Sequence, residues 1–208
     1  MSVQQAYNSW ANQYDTNINK TRDLEGIALR ETLSSIKFNS VLEAGCGTGK
    51  NTAWFITKAA HVTAIDLSEE MLLIARTKIN SSAAIFQQVN LLEPWTFRNR
   101  LYDLVSYSLV LEHIQDLSPI FKETAAALTP GGYVYIGELH PFKQYSGSKA
   151  RFETEKGLQV VECYNHNISD FIRAGKEHGL KLIDLEEYFD ESDRSGLPRV
   201  LSLLMQKV

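Results

Sequence analysis

The order of elements along the chain predicts an α/β fold built on a mostly parallel sheet of seven strands. Apolar segments typical of buried strands alternate with segments that carry a helical apolar stripe, as in a sheet covered by helices on both faces. Glycines at three alternate positions follow the first strand, where a ligand-binding turn is expected in such a fold. The last two strands have no helix between them, so we expect a C-terminal antiparallel hairpin.

Composition narrows the class of protein before any motif is considered. The 208 residues suffice for one domain with a substantial core, and we treat residues 1–208 as a single domain. A net charge of −4 argues against a nucleic-acid partner, and no basic run suggests a membrane surface. The first residues do not resemble a signal peptide, and two cysteines favour neither a disulfide nor a metal site. We therefore expect a cytoplasmic protein.

Two helices are predicted before the first strand, within residues 1–37. In the first, Tyr7, Trp10 and Tyr14 are three and four residues apart, which places the three rings on one helical face. The second is expected to begin at a Thr21 cap. Its apolar stripe is predicted to comprise Leu24, Ile27, Ala28, Leu33 and Ile36.

The remaining elements follow in alternation. Predicted strands span residues 41–44, 61–65, 83–89, 101–108, 133–139, 180–189 and 197–205. Predicted helices span residues 50–60, begin after the caps Ser68 and Ser118, and run from Asn167 to Gly179. Residues 140–166 are polar and irregular, and we expect an insertion or lid on the substrate side.

The loop within residues 41–51 is predicted to hold a nucleoside-containing ligand. Its pattern is not the dinucleotide fingerprint, because Lys50 stands where a third glycine or alanine is required and Gly49 precedes it. Asp66 ends the second strand about twenty residues later, where a carboxylate can accept hydrogen bonds from ribose hydroxyls. The arrangement is Rossmann-like.

The motifs together resemble the class I S-adenosylmethionine-dependent methyltransferases of the small-molecule type. The resemblance covers most of the chain in the family's order and spacing. It rests on Glu43-x-Gly45-x-Gly47-x-Gly49 with Asp66, on residues 87–92 (QQVNLL), on residues 102–105 (YDLV) with 109–114 (LVLEHI), on Leu128-x-Pro130-Gly131-Gly132, and on the N-terminal residues 7–15 (YNSWANQYD).

The resemblance implies S-adenosylmethionine as cofactor, S-adenosylhomocysteine as product and a small molecule as methyl acceptor. It implies that the glycine loop holds the amino-acid tail, that Asp66 holds the ribose and that Leu67 and Met71 flank the adenine. Asn90 replaces the Asp that is common in the family and keeps an acceptor without its charge. The implied cofactor-binding residues are Tyr7, Tyr14, Glu43, Ala44, Gly45, Cys46, Gly47, Gly49, Asp66, Leu67, Met71, Asn90, Leu91, Ser108 and Leu109.

Candidate catalytic residues follow the fifth strand, at the edge of the sheet where ligands bind in open α/β folds. Glu138 and His140 are the first candidates for a general base, and His166 and Tyr145 are weaker ones. His113 is expected to order the loop after the fourth strand, and no metal ligand set is predicted. A non-catalytic cofactor-binding module and a nicotinamide-dependent oxidoreductase remain alternatives. Neither the acceptor nor the oligomeric state can be predicted.

Overall fold

The computed structural model describes residues 1–154, 157–190 and 194–208, which form a seven-stranded sheet, a separate two-stranded hairpin and the helices around them. The seven-stranded sheet runs in the order β3-β2-β1-β4-β5-β9-β8. Its strands are β1 (Ser40–Ala44), β2 (His61–Asp66), β3 (Ala84–Gln88), β4 (Tyr102–Ser108), β5 (Leu128–Leu139), β8 (Leu180–Tyr188) and β9 (Val200–Lys207). The predicted Rossmann-like fold is confirmed.

Five neighbouring strands are parallel, and the C-terminal pair is antiparallel. β1 pairs in parallel with β2 and β4, β2 with β3, and β4 with β5. β9 inserts between β5 and β8 and runs antiparallel to both, as predicted for the final hairpin. The carboxyl ends of the five parallel strands therefore meet at one edge of the sheet, the edge at which such folds bind ligands.

Helices cover both faces of the sheet. Their bounds are α1 (Val3–Tyr14), α2 (Lys20–Thr32), α3 (Thr52–Phe55), α4 (Glu69–Lys78), α5 (Ser118–Ala127), α6 (Pro141–Tyr145) and α7 (Ile168–Glu177). On one face, Phe121 of α5 and Phe171 of α7 pack over buried residues of β4, β5 and β9. On the other, Leu29, Phe55 and Leu72 bring α2, α3 and α4 against the sheet.

The aromatic face predicted for α1 is present. The Trp10 ring stacks on Tyr7 with centroids 5.7 Å apart and meets Tyr14 edge-on at 5.0 Å. These rings do not lie over either face of the sheet; they form a third small core with Phe152 at the carboxyl edge. α1 therefore covers the ligand-binding edge.

The second helix differs from its prediction at its start and in its orientation. Asn19, not Thr21, caps α2, since its side chain accepts a hydrogen bond from the Arg22 amide. Ile27 is 50% exposed, whereas Glu25 is 2% exposed. The helix turns Glu25 inward because that carboxylate has buried hydrogen-bond donors to satisfy it, which apolar periodicity does not reveal.

Residues 140–166 contain more regular structure than their polar sequence predicts. After α6, strands β6 (Arg151–Thr154) and β7 (Gly157–Val160) pair as an antiparallel hairpin. The hairpin is held to the protein body through Phe152, which is 3% exposed and stacks on Trp10 at 5.0 Å. A single buried ring in a short strand gives no readable alternation, which explains why the strand was missed.

No helix in the described part of the chain is long and apolar enough to cross a membrane.

The contact between Asp103 and the start of β1 provides a test of the sheet. The Asp103 Oδ2 atom accepts from the Asn39 and Ser40 amides, both at 2.9 Å, and joins β4 to β1. Burial acts to raise the pKa of Asp103, but these hydrogen bonds outweigh it and hold the pKa below its usual range. A depressed pKa means that the carboxylate stabilises the fold above its unfolded pKa and that this stability is lost as the pH falls through the folded value.

We predict that Asp103→Ala lowers the free energy of unfolding by about 1–3 kcal/mol near neutral pH, because two amides lose their charged acceptor. The difference from wild type should shrink below about pH 4, where the carboxyl also becomes protonated. Urea unfolding at both pH values measures it. Asp184→Ala, at an exposed position of β8, is the control, and an equal loss in both variants would contradict the assignment.

Candidate active site

The glycine loop follows β1 in a left-handed backbone conformation. It hydrogen-bonds to the end of β2 and leaves open space beside one of its glycines. Gly45 has φ +75°, and a Cβ atom there would lie 2.1 Å from the Val110 Cγ2 atom, so only glycine fits. The amides of Gly45 and Cys46 both donate to the Ile65 carbonyl, at 2.8 and 2.9 Å. Gly47 also has a positive φ, but nothing lies within 4 Å of its Cβ position. A ligand can approach the backbone there.

Asp66 holds the loop and the following helix at once. Its Oδ2 atom accepts from the Gly47 amide and its Oδ1 atom from the Ser68 amide, both at 2.8 Å. Ser68 in turn caps α4, as predicted, by accepting from the Met71 amide. Burial raises the pKa of Asp66 against the opposing effect of these hydrogen bonds. Beyond its backbone hydrogen bonds, the carboxylate keeps lone pairs for further donors.

An inner cavity of about 170 Å³ lies between the glycine loop, Asp66, α1 and the loop that follows β4 (residues 109–114, the β4 loop). Most of the residues predicted to bind a cofactor line it together: Tyr7, Tyr14, Gly45, Gly47, Asp66, Leu67, Met71, Asn90, Leu91, Ser108 and Leu109. Glu43, Ala44, Cys46 and Gly49 do not line it and form the base of the loop behind it. Cys46 is 6% exposed, and burial raises the pKa of its thiol well above the ordinary value, as in an unreactive packing residue.

Behind the loop, Glu43 is a buried carboxyl group that belongs to the scaffold. It is 2% exposed, and its Oε2 atom accepts from the Thr52 hydroxyl at 2.5 Å. Burial raises the pKa of Glu43 to about 8. The group therefore favours its neutral form near neutral pH.

A second buried carboxylate, Glu25, was missed by sequence reasoning. It accepts from the Asn51 amide at 3.1 Å and from the Tyr135 hydroxyl at 3.2 Å. The same Asn51 amide donates to the Ser108 hydroxyl at 3.2 Å, which lines the inner cavity. Burial raises the pKa of Glu25. Its only signal in the sequence is the spacing of Glu25 with Ala28 and Leu29, which puts it on the buried face of α2.

The β4 loop contains a residue in a strained conformation and is hydrogen-bonded to a buried glutamate side chain. Leu109 has φ +59°, an uncommon conformation for a residue with a branched side chain. The Glu138 Oε1 atom accepts from the Val110 and Leu111 amides at 2.9 and 2.8 Å. Burial and the neighbouring Glu112 raise the pKa of Glu138 to about 8. Glu138 lines neither of the cavities described here, so its contacts fix the shape of the loop.

The β4 loop presents His113 in a defined tautomer. Its Nδ1 atom lies 2.7 Å from the Glu162 carbonyl oxygen, which only accepts, so Nδ1 carries a proton. In the neutral ring Nε2 is then an acceptor, and it lies 2.8 Å from the Tyr7 hydroxyl, which donates to it. Glu112 Oε1 is 3.9 Å from the same Nε2 atom. The arrangement is a proton acceptor beside the inner cavity, with a carboxyl group near enough to stabilise a charged imidazole.

Glu112, His113 and Cys163 also form a group whose potential ligand atoms lie within 4.8 Å of one another. The sequence did not predict this cluster, because Cys163 comes from a segment fifty residues away. The Glu162 carbonyl already occupies Nδ1 of His113, and a metal on Nε2 would displace Tyr7. The present contacts are those of a hydrogen-bonded site.

An outer cavity of about 600 Å³ adjoins the inner one. Tyr7, Tyr14 and Leu109 line both cavities and form their common boundary. The other walls of the outer cavity include residues 17–21 at the start of α2, residues 148–153 with Leu158, and Arg199. Part of the predicted lid, residues 140–166, thus borders this cavity.

The remaining predicted catalytic residues do not meet at the cavities. His140 is fully buried and caps α6, with Nε2 2.9 Å from Glu187 and Nδ1 accepting from the Phe142 amide. Burial lowers the pKa of His140. His166 donates to the Ile114 carbonyl at 2.8 Å, and the exposed Tyr145 donates to Asn167. The geometry favours His113 over all of these as a group that meets a ligand.

Comparisons with known proteins find similarity to methyltransferases. Residues 42–136 match a family model described as a methyltransferase domain. Ubiquinone biosynthesis O-methyltransferase from Bordetella bronchiseptica is 33% identical over 150 residues, which cover 71% of this chain and 62% of that protein. The same enzyme from Hydrogenovibrio crunogenus is 31% identical, with coverages of 68% and 59%. The chain thus spans about 60% of the length of these relatives.

Solved structures share the fold. The complex of DhpI with S-adenosylhomocysteine has a TM-score of 0.78 at 22% identity and covers 99% of this chain and 95% of that one. An S-adenosylmethionine-dependent methyltransferase from Mesorhizobium loti has a TM-score of 0.71 at 20% identity, with coverages of 88% and 98%. At these identities the likeness concerns the fold.

The buried Glu43 carboxyl predicts a pH effect on stability. Its pKa is about 8 in the folded protein, above the unfolded value of about 4.3. The raised pKa means that its contribution is complete below the unfolded value and is lost as the pH rises towards 8. Relative to Glu43→Gln, which mimics the protonated acid, wild type should lose up to about 1.4 kcal/mol per pH unit across this window.

Urea unfolding of wild type and Glu43→Gln at about pH 5 and about pH 8 measures this difference. We expect the two proteins to diverge at the higher pH, with the variant the more stable. The exposed Glu93→Gln should follow wild type at both values. Parallel pH dependence of wild type and Glu43→Gln would refute the assignment.

Proposed function

We propose that this chain, whose residues 42–136 match a methyltransferase-domain model, transfers the methyl group of S-adenosylmethionine to a small-molecule acceptor. S-adenosylmethionine would occupy the inner cavity and the acceptor the outer one. The observation that carries the proposal is the junction of the two cavities at Tyr7, Tyr14 and Leu109. At this junction, a cofactor bound in the inner cavity could meet an acceptor bound in the outer cavity.

The residues around the inner cavity fit S-adenosylmethionine chemically. The open Cβ position of Gly47 lets the amino-acid tail reach the loop backbone. Asp66 has spare lone pairs for the ribose hydroxyls, and Leu67 and Met71 offer apolar contacts for the adenine. Asn90 and Leu91 would meet the polar edge of the adenine. Glu43, Ala44, Cys46 and Gly49 would support the loop from behind.

Helix α1 would move when the cofactor binds. The inner cavity of about 170 Å³ is smaller than the usual range for ligand sites, about 300–1,000 Å³. Its outer wall is formed by Tyr7 and Tyr14. The cofactor is accommodated if α1 tilts about the Tyr7–His113 hydrogen bond, so that the Tyr14 ring shifts towards the outer cavity while Tyr7 keeps its partner. The two rings would then cover the reacting atoms and exclude water.

His113 would act as the general base through Tyr7. S-adenosylmethionine supplies an electrophilic methyl group on a sulfonium. When the acceptor oxygen or nitrogen takes up this methyl group, the acceptor's proton would pass to the Tyr7 oxygen. The Tyr7 proton would pass to Nε2 of His113, and Glu112 would stabilise the resulting imidazolium. Burial raises the pKa of Tyr7 well above its usual value, so Tyr7 is neutral before and after the step.

The first test concerns the cofactor. We predict that S-adenosylmethionine and S-adenosylhomocysteine raise the melting temperature of the protein and that NAD does not. Asp66→Asn should weaken S-adenosylhomocysteine binding by about 10- to 100-fold, the effect of losing a charged hydrogen-bond acceptor. Isothermal titration calorimetry measures this change.

Asp116→Asn is the matched control for Asp66→Asn. Asp116 accepts from the Ser118 amide two residues on, at the start of α5, as Asp66 accepts from Ser68 at the start of α4. It lines neither the inner nor the outer cavity. Stabilisation by NAD alone would favour an oxidoreductase. Cofactor binding with no S-adenosylhomocysteine formed across a broad acceptor screen would favour a non-catalytic module.

The second test concerns the base. With an acceptor from that screen, we predict that His113→Gln lowers kcat by about 10²- to 10⁴-fold, since an amide cannot take up the proton. Tyr7→Phe should also lower kcat, because it removes the hydroxyl group that would pass the proton to His113. The affinity for S-adenosylhomocysteine should stay within a few fold of wild type in His113→Gln.

His178→Gln is the control for His113→Gln, because this histidine contacts Ser118 away from both cavities. A His113→Gln variant that keeps its kcat but loses cofactor affinity would show that the residue has only a structural role.

A further inference from the structure

Positive charge is concentrated around the outer cavity of a protein that is acidic overall. Four basic residues line the cavity, although the net charge of the chain is −4. They come from three separate parts of the chain: Lys20, Lys149, Arg151 and Arg199. The acidic residues of the lining are Glu112 and Glu153. Convergence of charges from distant segments is a feature of the folded protein that local sequence does not show.

Three of these four cations form no ion pair with the acids that the structure describes. Arg199 is paired: its guanidinium binds both carboxylate oxygens of Asp190 and also the Thr21 hydroxyl. Lys20, Lys149 and Arg151, by contrast, have no carboxylate within 4 Å among residues 1–154, 157–190 and 194–208. Within the described ranges, the rim therefore carries three cations that form no ion pair.

The wall of the same cavity is aromatic. Trp10 and Phe152 stack at 5.0 Å with an interplanar angle of 11° and are buried, and the less buried rings of Tyr7 and Tyr14 line the cavity beside them, towards the inner cavity. Leu158 adds apolar area from β7. A flat or apolar molecule can lie against this wall with one end at the boundary of the two cavities. Its other end would then reach the cationic rim.

We propose that the outer cavity selects an acceptor with an apolar or aromatic body and an oxyanion, a carboxylate or a phosphate. The anion binds Lys149 and Arg151 at the hairpin, and the nucleophilic end lies at Tyr7 and Leu109. Arg151 offers the planar fork that matches a carboxylate or phosphate, and Lys149 adds a point charge. This inference rests on the proposed function, because it assigns the substrate class of the same site.

Calorimetry on the protein saturated with S-adenosylhomocysteine tests the proposal without knowledge of the natural acceptor. The probes are benzoate and benzamide, which match in shape and differ in charge, with phenyl phosphate as a second anion. We expect benzoate to bind at least about 10-fold more tightly than benzamide, a typical effect for charge-assisted hydrogen bonds. The comparison of benzoate with phenyl phosphate distinguishes the two kinds of oxyanion.

The variant Lys149→Gln/Arg151→Gln should abolish the preference for benzoate over benzamide. Arg100→Gln/Lys122→Gln removes one arginine and one lysine from exposed positions outside both cavities and should keep the preference. Unchanged melting temperatures and S-adenosylhomocysteine affinities in both double variants show that the fold and the inner cavity are intact. All four positions are exposed, so the folded state is expected to tolerate the changes.

Equal affinity for benzoate and benzamide would overturn the proposal, as would the failure of benzoate and phenyl phosphate to bind the saturated protein. If Lys149→Gln/Arg151→Gln still bound benzoate more tightly than benzamide, the assignment of these two residues would be overturned. Failure of the proposed function is a separate result, since it would show at the first step as a lack of S-adenosylhomocysteine binding.

Discussion

The hydrogen bonds from the β4 loop to the buried carboxyl group of Glu138 set the geometry on which the whole site depends. They hold the amides of Val110 and Leu111 over β5 and keep Leu109 in its left-handed conformation. One turn further on, the same loop carries His113 to the inner cavity. Since a buried acceptor without its donors is costly, the loop and the strand end stabilise each other. The contacts of Glu138 thus stabilise the loop, and its side chain lines neither the inner nor the outer cavity.

Features made by neighbouring residues could be predicted from the sequence. The Ser68 cap and the positive-φ glycines arise within single strand–loop–helix units, and Asp66 stands at the end of such a strand. The alternation of such units also predicts the parallel sheet and the common edge of its strand ends. These local rules explain why most residues of the inner cavity were identified in advance.

Features made by distant segments could not be predicted. Glu25 is buried because Asn51 and Tyr135, far along the chain, supply its donors. The role proposed for His113 depends on Tyr7, which is 106 residues away, and on a carbonyl group from residue 162. No periodicity in the sequence reports such pairs, and tertiary contacts override the apolar stripe that placed Ile27 inside.

The two cavities also differ in whether local or distant segments form them. This difference explains why a sequence motif can indicate a cofactor but not an acceptor. The inner cavity is built mainly from loops that immediately follow the parallel strands, so its chemistry is tied to the sheet. The outer cavity is built from the α1–α2 connection, the β6–β7 hairpin and Arg199, which the sheet does not constrain to one another. Residues such as Lys149 and Arg151 can therefore vary without cost to the core. Under the proposed function, side chains around the outer cavity can therefore change without disturbing the hydrogen bonds that hold the inner cavity.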